Sequence, residues 1–413
     1  MTAAAPAARR RWIFLALIAT VLVATLVFVL AGPRPQPVPG SQGVAEAGQA
    51  DATERAGERP GLQVPPAYLA WVSGGFPSNF RALVRTVPTF EKTVVLAGDT
   101  QWMTASRDAD GHVVDRPKPP YGIPIDAFSV NPVEYAPFLP DDVRRDVIDA
   151  LDRGQGVLST RSAEIRDVGV GGTLQFGHAQ VKIGAIAPDE AIGWSELLVS
   201  RDVGERLGIV DDRYLLALIE GKPSEDRFLQ LVSPLVPAGT PIRVVRPGGS
   251  PYMRVASGVN PPIVLKQEFG EFAAFPDPAN PAELTIQPGW VHTHIRTKEV
   301  PILGRVTCNV AFFPALQAAL REVEREGLAS LLHTYNGCWN ARTVARSPTA
   351  PPSFHAYGAA IDINAASNAY GSTPTMDQRI VDIFEHEGFN WGGDFLIPDG
   401  MHFEYGEPMD EAA

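Results

Sequence analysis

Cysteine is nearly absent: the 413 residues hold two, Cys308 and Cys338. That excludes a disulfide-dense scaffold, and without a close Cys-x-x-Cys partner the pair does not read as a metal site. In an oxidising compartment the two form a disulfide, whose loop of about 30 residues contributes about 3–4 kcal/mol in the chain-entropy model. Free or separately buried thiols are the other reading. Positive charge is also scarce. With 35 Lys and Arg against 47 Asp and Glu, the formal charge is −12. Nucleic-acid binding, which needs clustered cations to displace counterions, is not expected. No convincing internal repeat is present. The apolar fraction of 45% is ordinary and supports a sizeable core, and the length suits two domains with appendages.

Long apolar runs are missing with one exception. Arg9, Arg10 and Arg11 precede an uncharged stretch from Trp12 to Ala31. About 20 such residues span a bilayer as a helix, and cations on the leading flank keep that flank cytoplasmic. Residues 1–31 are thus predicted to be a cytoplasmic tip and a retained signal anchor, with a cleaved signal peptide as the rival. Either way the bulk is exported, and the expected location is the cell membrane, single-pass, with the C-terminal bulk extracytoplasmic. Residues 32–65 are rich in Pro, Gly, Ala and Glu and poor in large apolar residues, which predicts a flexible spacer.

Ordered sequence begins near "VPPAYLAWV". Residues 66–284 read as a mixed, strand-rich extracytoplasmic domain of unknown role. The segments "TVVLAGD", "GTLQFG", "AQVKIGAIA", "ELLVS" and "IRVVRPG" are short, β-branched and bounded by Gly, Pro or Asp, as strands are. "PDDVRRDVIDALDRG" predicts a helix closed by Gly154. No catalytic constellation lies here. Its Gly-bounded hairpin rhythm between residues 156 and 200 resembles extracytoplasmic domains of MacB/FtsX-type bacterial permeases. From residue 285 to 413 "FPALQAALREVEREGL" and "TPTMDQRIVDIFEHEGF" predict amphipathic helices, the second opened by a Thr375/Gln378 capping box.

Two short segments there carry chemistry. In "SFHAYGAAIDIN", His355 to Gly358 reads as a turn entering a strand that begins at Ala359. Alternation puts Ala360, Asp362 and Asn364 on one face. An aspartate between isoleucines costs desolvation unless something positive meets it. A divalent metal shared with His355 would do so; an ordinary His–Asp hydrogen bond would also serve. In "PDGMHFEY", a turn leads into a strand whose His402 and Glu404 share a face, and the Asp399 carboxylate can approach whatever His402 binds. Two His and one Asp as protein ligands leave a fourth position for water, the open arrangement of catalytic zinc, and a nearby carboxylate is then needed as general base.

The pattern Ser353-x-His355-x-x-Gly358-x-Ala360-x-Asp362, followed by Asp399-x-x-His402-Phe403-Glu404, resembles the VanY-type zinc D-alanyl-D-alanine carboxypeptidases and the related L-alanyl-D-glutamate endopeptidases. "YNGCWNAR" and "GFNWGGDF" add to the likeness, which covers roughly the last 120 residues. It implies a small α+β catalytic unit in residues 285–413, with an antiparallel sheet and flanking helices. It implies zinc (Zn2+) held by His355, Asp362 and His402, with Asp399 as general base where many relatives carry Glu. It implies Arg342 as the cation that meets the substrate and its oxyanion. Glu404 is the fallback base, its other role being to orient a ligand, and Ser353 is expected to hydrogen-bond within its turn. The implied substrate is the peptide stem of bacterial peptidoglycan. The alternative is a non-catalytic cell-wall-binding or scaffold protein that keeps the peptidase fold.

Other histidines invite weighing. His292 and His294 in "GWVHTHIR" read as one face of a strand, without a carboxylate at ligand spacing. His386 sits in a helix's last turn, where a cation suits the dipole, and His333 is expected to pack near Cys338. Trp391 with Gly392 and Gly393 reads equally as a wall beside substrate or as core.

Overall fold

The structure, a computed structural model, describes residues 63–247, 260–348 and 350–406. The predicted anchor and nearly all of the spacer lie outside them. Among the described residues no helix is long and apolar enough to cross a membrane.

The strand-rich half is a ten-stranded mixed sheet. From one edge the order is Arg243–Val245, Tyr68–Trp71, Asp212–Ile219, Phe90–Met103 and Ile123–Val130. It continues with Leu197–Ser200, Gly156–Ser159, Ala179–Ala187, Thr173–Phe176 and Ala105–Arg107. Two neighbouring pairs are parallel, Ile123–Val130 with Leu197–Ser200 and Gly156–Ser159 with Ala179–Ala187; the others run antiparallel. All five strands expected from the sequence are present. The Asp141–Asp152 helix buries Val147, Ala150 and Leu151, with Val143 and Ile148 partly buried against the same core. Ala179–Ala187 alternates buried and exposed positions over Val181, Ile183, Ala185 and Ala187, the period of a strand with one covered face.

The C-terminal half is built on a four-stranded antiparallel sheet in the order Tyr335–Gly337, Ala360–Ile363, His402–Tyr405, Phe389–Trp391. Helices Phe313–Arg325 and Gln378–His386 supply Leu316, Leu320, Val323, Ile380, Val381 and Phe384 to the core beneath it. The second helix is capped by the Asp377 carboxylate, which accepts from the Arg379 N–H, and not by the Thr375/Gln378 box. Thr375 is diverted: its hydroxyl bonds the Ser367 carbonyl instead. The same core draws on Leu265, Phe269 and Phe272, ahead of residue 285.

Leu265 and Phe269 belong to the helix Pro262–Phe269, which also carries Lys266, 3% exposed. The Lys266 ammonium donates to both Glu196 oxygens at 2.9 and 2.8 Å, and to the Pro124 carbonyl. Arg166, fully buried, donates to Glu196 at 2.6 Å and to Glu271 at 2.6 Å. Two cations and two carboxylates thus neutralise one another where the large sheet meets the C-terminal core. Burial alone would raise the Glu271 pKa, but Arg166 and Lys266 outweigh it and hold the group below the usual range.

Candidate metal centre

His355 lies in a one-turn helix, Phe354–Tyr357, where the sequence suggested a plain turn. Gly358 ends it at φ +69°, a left-handed conformation, and a Cβ there would sit 2.6 Å from the Asn309 nitrogen. The chain then enters Ala360–Ile363, which pairs antiparallel with His402–Tyr405. The register sets Asp362 directly opposite His402, and Ala360 opposite Glu404. Cross-strand neighbours lie about 5 Å apart at Cβ, so this pairing brings together residues 40 positions apart in the chain.

Three atoms form a nearly equilateral triangle. His355 Nε2 lies 3.1 Å from His402 Nδ1 and 3.2 Å from Asp362 Oδ1, and His402 Nδ1 lies 3.1 Å from Asp362 Oδ1. Ligands about 2.0–2.1 Å from a tetrahedral zinc are separated by roughly 3.3 Å, so the triangle matches one face of such a site. The far ring nitrogens are also committed. His355 Nδ1 is 2.7 Å from the Cys338 carbonyl, which can only accept, so that nitrogen carries a proton and Nε2 is the one turned towards Asp362 and His402. His402 Nε2 faces Glu404 Oε2 at 3.2 Å and leaves Nδ1 free to ligate in the same way.

Charge points in the same direction. Burial would raise the Asp362 carboxyl, but hydrogen bonds from His355 and His402, and their charge, hold it well below the usual carboxylate range. Burial would lower His402, yet Asp362 and Glu404 push it up to about 10. The carboxylates therefore demand positive charge between the rings, and a divalent cation meets that demand with the donors at hand.

Asp399 approaches from the turn before His402. Its N–H donates to the Gly392 carbonyl at 2.7 Å and its own carbonyl accepts from His402 N–H at 3.0 Å. Gly392 is required here, because a Cβ would meet Asp399 O at 2.6 Å and His402 Cβ at 3.1 Å. Asp399 Oδ1 is buried without a hydrogen-bond partner among the described residues. Burial first, and the Asp362 charge with it, raise the Asp399 pKa against the pull of His402, His355 and Arg342. Arg342 is half-buried and its NH1 donates to the Thr343 carbonyl at 3.3 Å. Burial lowers its pKa while Asp362 and Asp399 raise it, so the guanidinium lies within electrostatic reach of both carboxylates.

Other expectations fare differently. His292 and His294 lie on a helix, Pro288–His294, begun by Pro288 at its first position; they do not form a strand face. His294 stacks on Trp290 at 4.7 Å. Ser353 makes no side-chain bond in its turn: its hydroxyl is buried without a partner. His333 is exposed, and His386 ends its helix as expected. Trp391 bonds the Gly400 carbonyl at 2.9 Å through Nε1, and its ring leaves no space for a Cβ on Gly393. Asp108, Asp110 and His112 form a second group with metal-binding side chains, in an exposed turn where Asp108 caps the backbone N–H groups of Asp110 and His112. The sequence reading missed the Cys338 carbonyl, since a main-chain partner leaves no mark in residue type.

Residues 346–405 match the model of a family described as D-alanyl-D-alanine carboxypeptidase. That span contains His355, Asp362, Asp399, His402 and Glu404, and stops short of Arg342. No curated protein matches the chain. Among solved structures, the periplasmic region of MacB from Actinobacillus actinomycetemcomitans aligns at 8% identity and TM-score 0.29, covering 44% of this chain and 88% of that one. A domain of a putative permease protein from Porphyromonas gingivalis aligns at 16% identity and TM-score 0.28, covering 44% and 91%. The extracellular domain of the noncanonic ABC-type transporter YknZ from Gram-positive bacteria aligns at 16% and 0.28, covering 44% and 100%. Likenesses this slight carry no argument about fold or function.

Proposed function

We propose that this protein is a membrane-anchored, extracytoplasmic zinc peptidase that hydrolyses the peptide stems of bacterial peptidoglycan, either trimming a terminal D-Ala or cutting within the stem. The observation that carries the reading is the triangle of His355 Nε2, Asp362 Oδ1 and His402 Nδ1, with edges of 3.1–3.2 Å, inside a segment that matches a carboxypeptidase family. The buried Cys308–Cys338 bridge supports an oxidising, exported setting.

His355, Asp362 and His402 would hold the ion. Bound there, zinc supplies Lewis-acid chemistry, polarising a carbonyl and making water acidic near neutral pH. Asp399, with an unpartnered oxygen beside the site, accepts the proton of the attacking water as general base. Arg342 meets the negative charge that develops on the scissile carbonyl oxygen. Glu404 and the Cys338 carbonyl keep the two imidazoles in the ligating tautomer.

Mass analysis of a defined pentapeptide stem, incubated with the full-length protein, tests this. Product that vanishes on adding a chelator and returns with zinc is expected. Cell-wall binding without any product would replace the enzyme with a scaffold that keeps the peptidase shape.

A further inference from the structure

The helix that carries His355 is four residues long, too short to hold its own direction, so its aim is borrowed from what it touches. Two segments grip it. On one side, Cys338 O accepts from His355 Nδ1 at 2.7 Å, Asn340 N–H donates to His355 O at 2.9 Å, and Trp339 Nε1 donates to Ala356 O at 3.2 Å. On the other, Asn309 N–H donates to Gly358 O at 3.0 Å and Asn309 Nδ2 to Tyr357 O at 3.0 Å. The Cys308–Cys338 disulfide joins these two grips, with Cα atoms 5.5 Å apart and both residues at most 1% exposed.

We propose that the Cys308–Cys338 bridge is a positioning element for the metal ligand His355: it closes a frame around the one-turn helix and so sets zinc affinity. This rests on reading the site as a zinc centre. The bridge also lies at the meeting of separate elements, because Cys308 is the penultimate residue of the strand Gly304–Asn309 while Cys338 follows Tyr335–Gly337. Trp339 N–H donates to Thr307 O at 2.9 Å, a hydrogen bond that ties the two grips beside the bridge. Opening the bridge lets the Cys338 carbonyl drift, and with it the partner that fixes the His355 tautomer.

A disulfide also stabilises a fold by restricting the unfolded chain. That effect changes how much protein is folded, and leaves the affinity of the folded protein for metal untouched. Positioning changes the affinity itself, which separates the two roles.

The full-length chain, stripped of metal, would be titrated with zinc against a chromophoric chelator, as oxidised wild type and as the Cys308→Ala, Cys338→Ala variant. The titration is run well below the unfolding temperature, with near-UV circular dichroism reporting the fold. Zinc affinity is expected to fall roughly ten- to a hundredfold in the variant, the usual effect of losing a partner that orients a ligand. The visible bands of bound cobalt(II) should shift as the His355 ring turns. Equal zinc affinities in two folded proteins overturn the proposal. An oxidised wild type that binds no zinc overturns the zinc reading, and the frame with it. Should the variant lose its near-UV signal before metal is added, Asn309→Ala replaces it. That chain keeps the bridge and the main-chain bond to Gly358 O but loses the side-chain bond to Tyr357 O on one side of the frame; weaker zinc binding supports the frame and unchanged binding overturns it.

Discussion

Replacing Asp399 with Asn tests the division of labour at the site. The backbone of Asp399 is held from both sides, by the Gly392 carbonyl at 2.7 Å and the His402 N–H at 3.0 Å. The turn therefore keeps its shape when the side chain changes from carboxylate to amide. On the proposed reading the ion is held by His355, Asp362 and His402, so zinc content should be unchanged. What disappears is the base. General-base catalysis contributes about 10²–10⁴-fold, or about 2.7–5.4 kcal/mol of barrier, and kcat/KM on a stem peptide should fall by that factor. The pH profile supplies a second check. Burial and Asp362 raise the Asp399 pKa above the ordinary value of about 3.9, and on the proposed general-base role the ionised form is the active one. Wild-type activity is therefore present above that raised pKa and lost as pH falls through it; the variant's residual rate lacks this limb. For stability the sign is opposite. A carboxyl whose folded pKa is raised contributes stability below its unfolded pKa and loses it as pH rises, so at pH 7 the Asn variant should unfold no more easily than wild type. Metal content by atomic absorption, product by mass spectrometry and a urea titration cover the three claims. Wild-type kcat/KM in Asp399→Asn, or activity lost together with zinc, would refute the assigned role.

Two further outcomes follow from geometry. Glu404→Ala removes the acceptor 3.2 Å from His402 Nε2, and zinc affinity measured by chelator competition should drop roughly ten- to a hundredfold; an unchanged affinity would mean Glu404 does not orient the ring. Lys266→Met leaves the buried Glu196 carboxylate short of a cation, which should cost about 3–5 kcal/mol in urea unfolding. Adding Glu196→Gln to it should recover part of that loss, and no recovery would mean that the pair is not what Lys266 stabilises.

The residues that converge at the candidate centre are legible in the sequence because each signal is short-range. Asp362 between two isoleucines, Gly358 after His355, and His402 two residues before Glu404 all declare themselves within one strand or turn. Their convergence follows from one register, Asp362 against His402, that alternation suggests but cannot set. The strand reading of His292 and His294 rests on alternation alone, and Pro288 just ahead of them, a helix-start residue, is the signal that makes the segment a helix. The Thr375/Gln378 box is not the cap because the Thr375 hydroxyl is taken by the Ser367 carbonyl, and Asp377, whose type also suits the position, caps instead. The cluster of Arg166, Glu196, Lys266 and Glu271 was beyond reach altogether. Lys266 and Glu196 stand 70 positions apart, and ion pairing across such a distance has no local pattern to read.

That cluster decides how the protein can be dissected and reused. A fragment cut ahead of residue 260 would carry Lys266 and Glu271 into solvent stripped of Glu196 and Arg166, while one cut after 271 would also forfeit Leu265 and Phe269 from beneath the four-stranded sheet. The C-terminal half is not a cassette that lifts out cleanly. A lineage that inherits it must inherit the large sheet as well, or rebuild the seam in apolar residues.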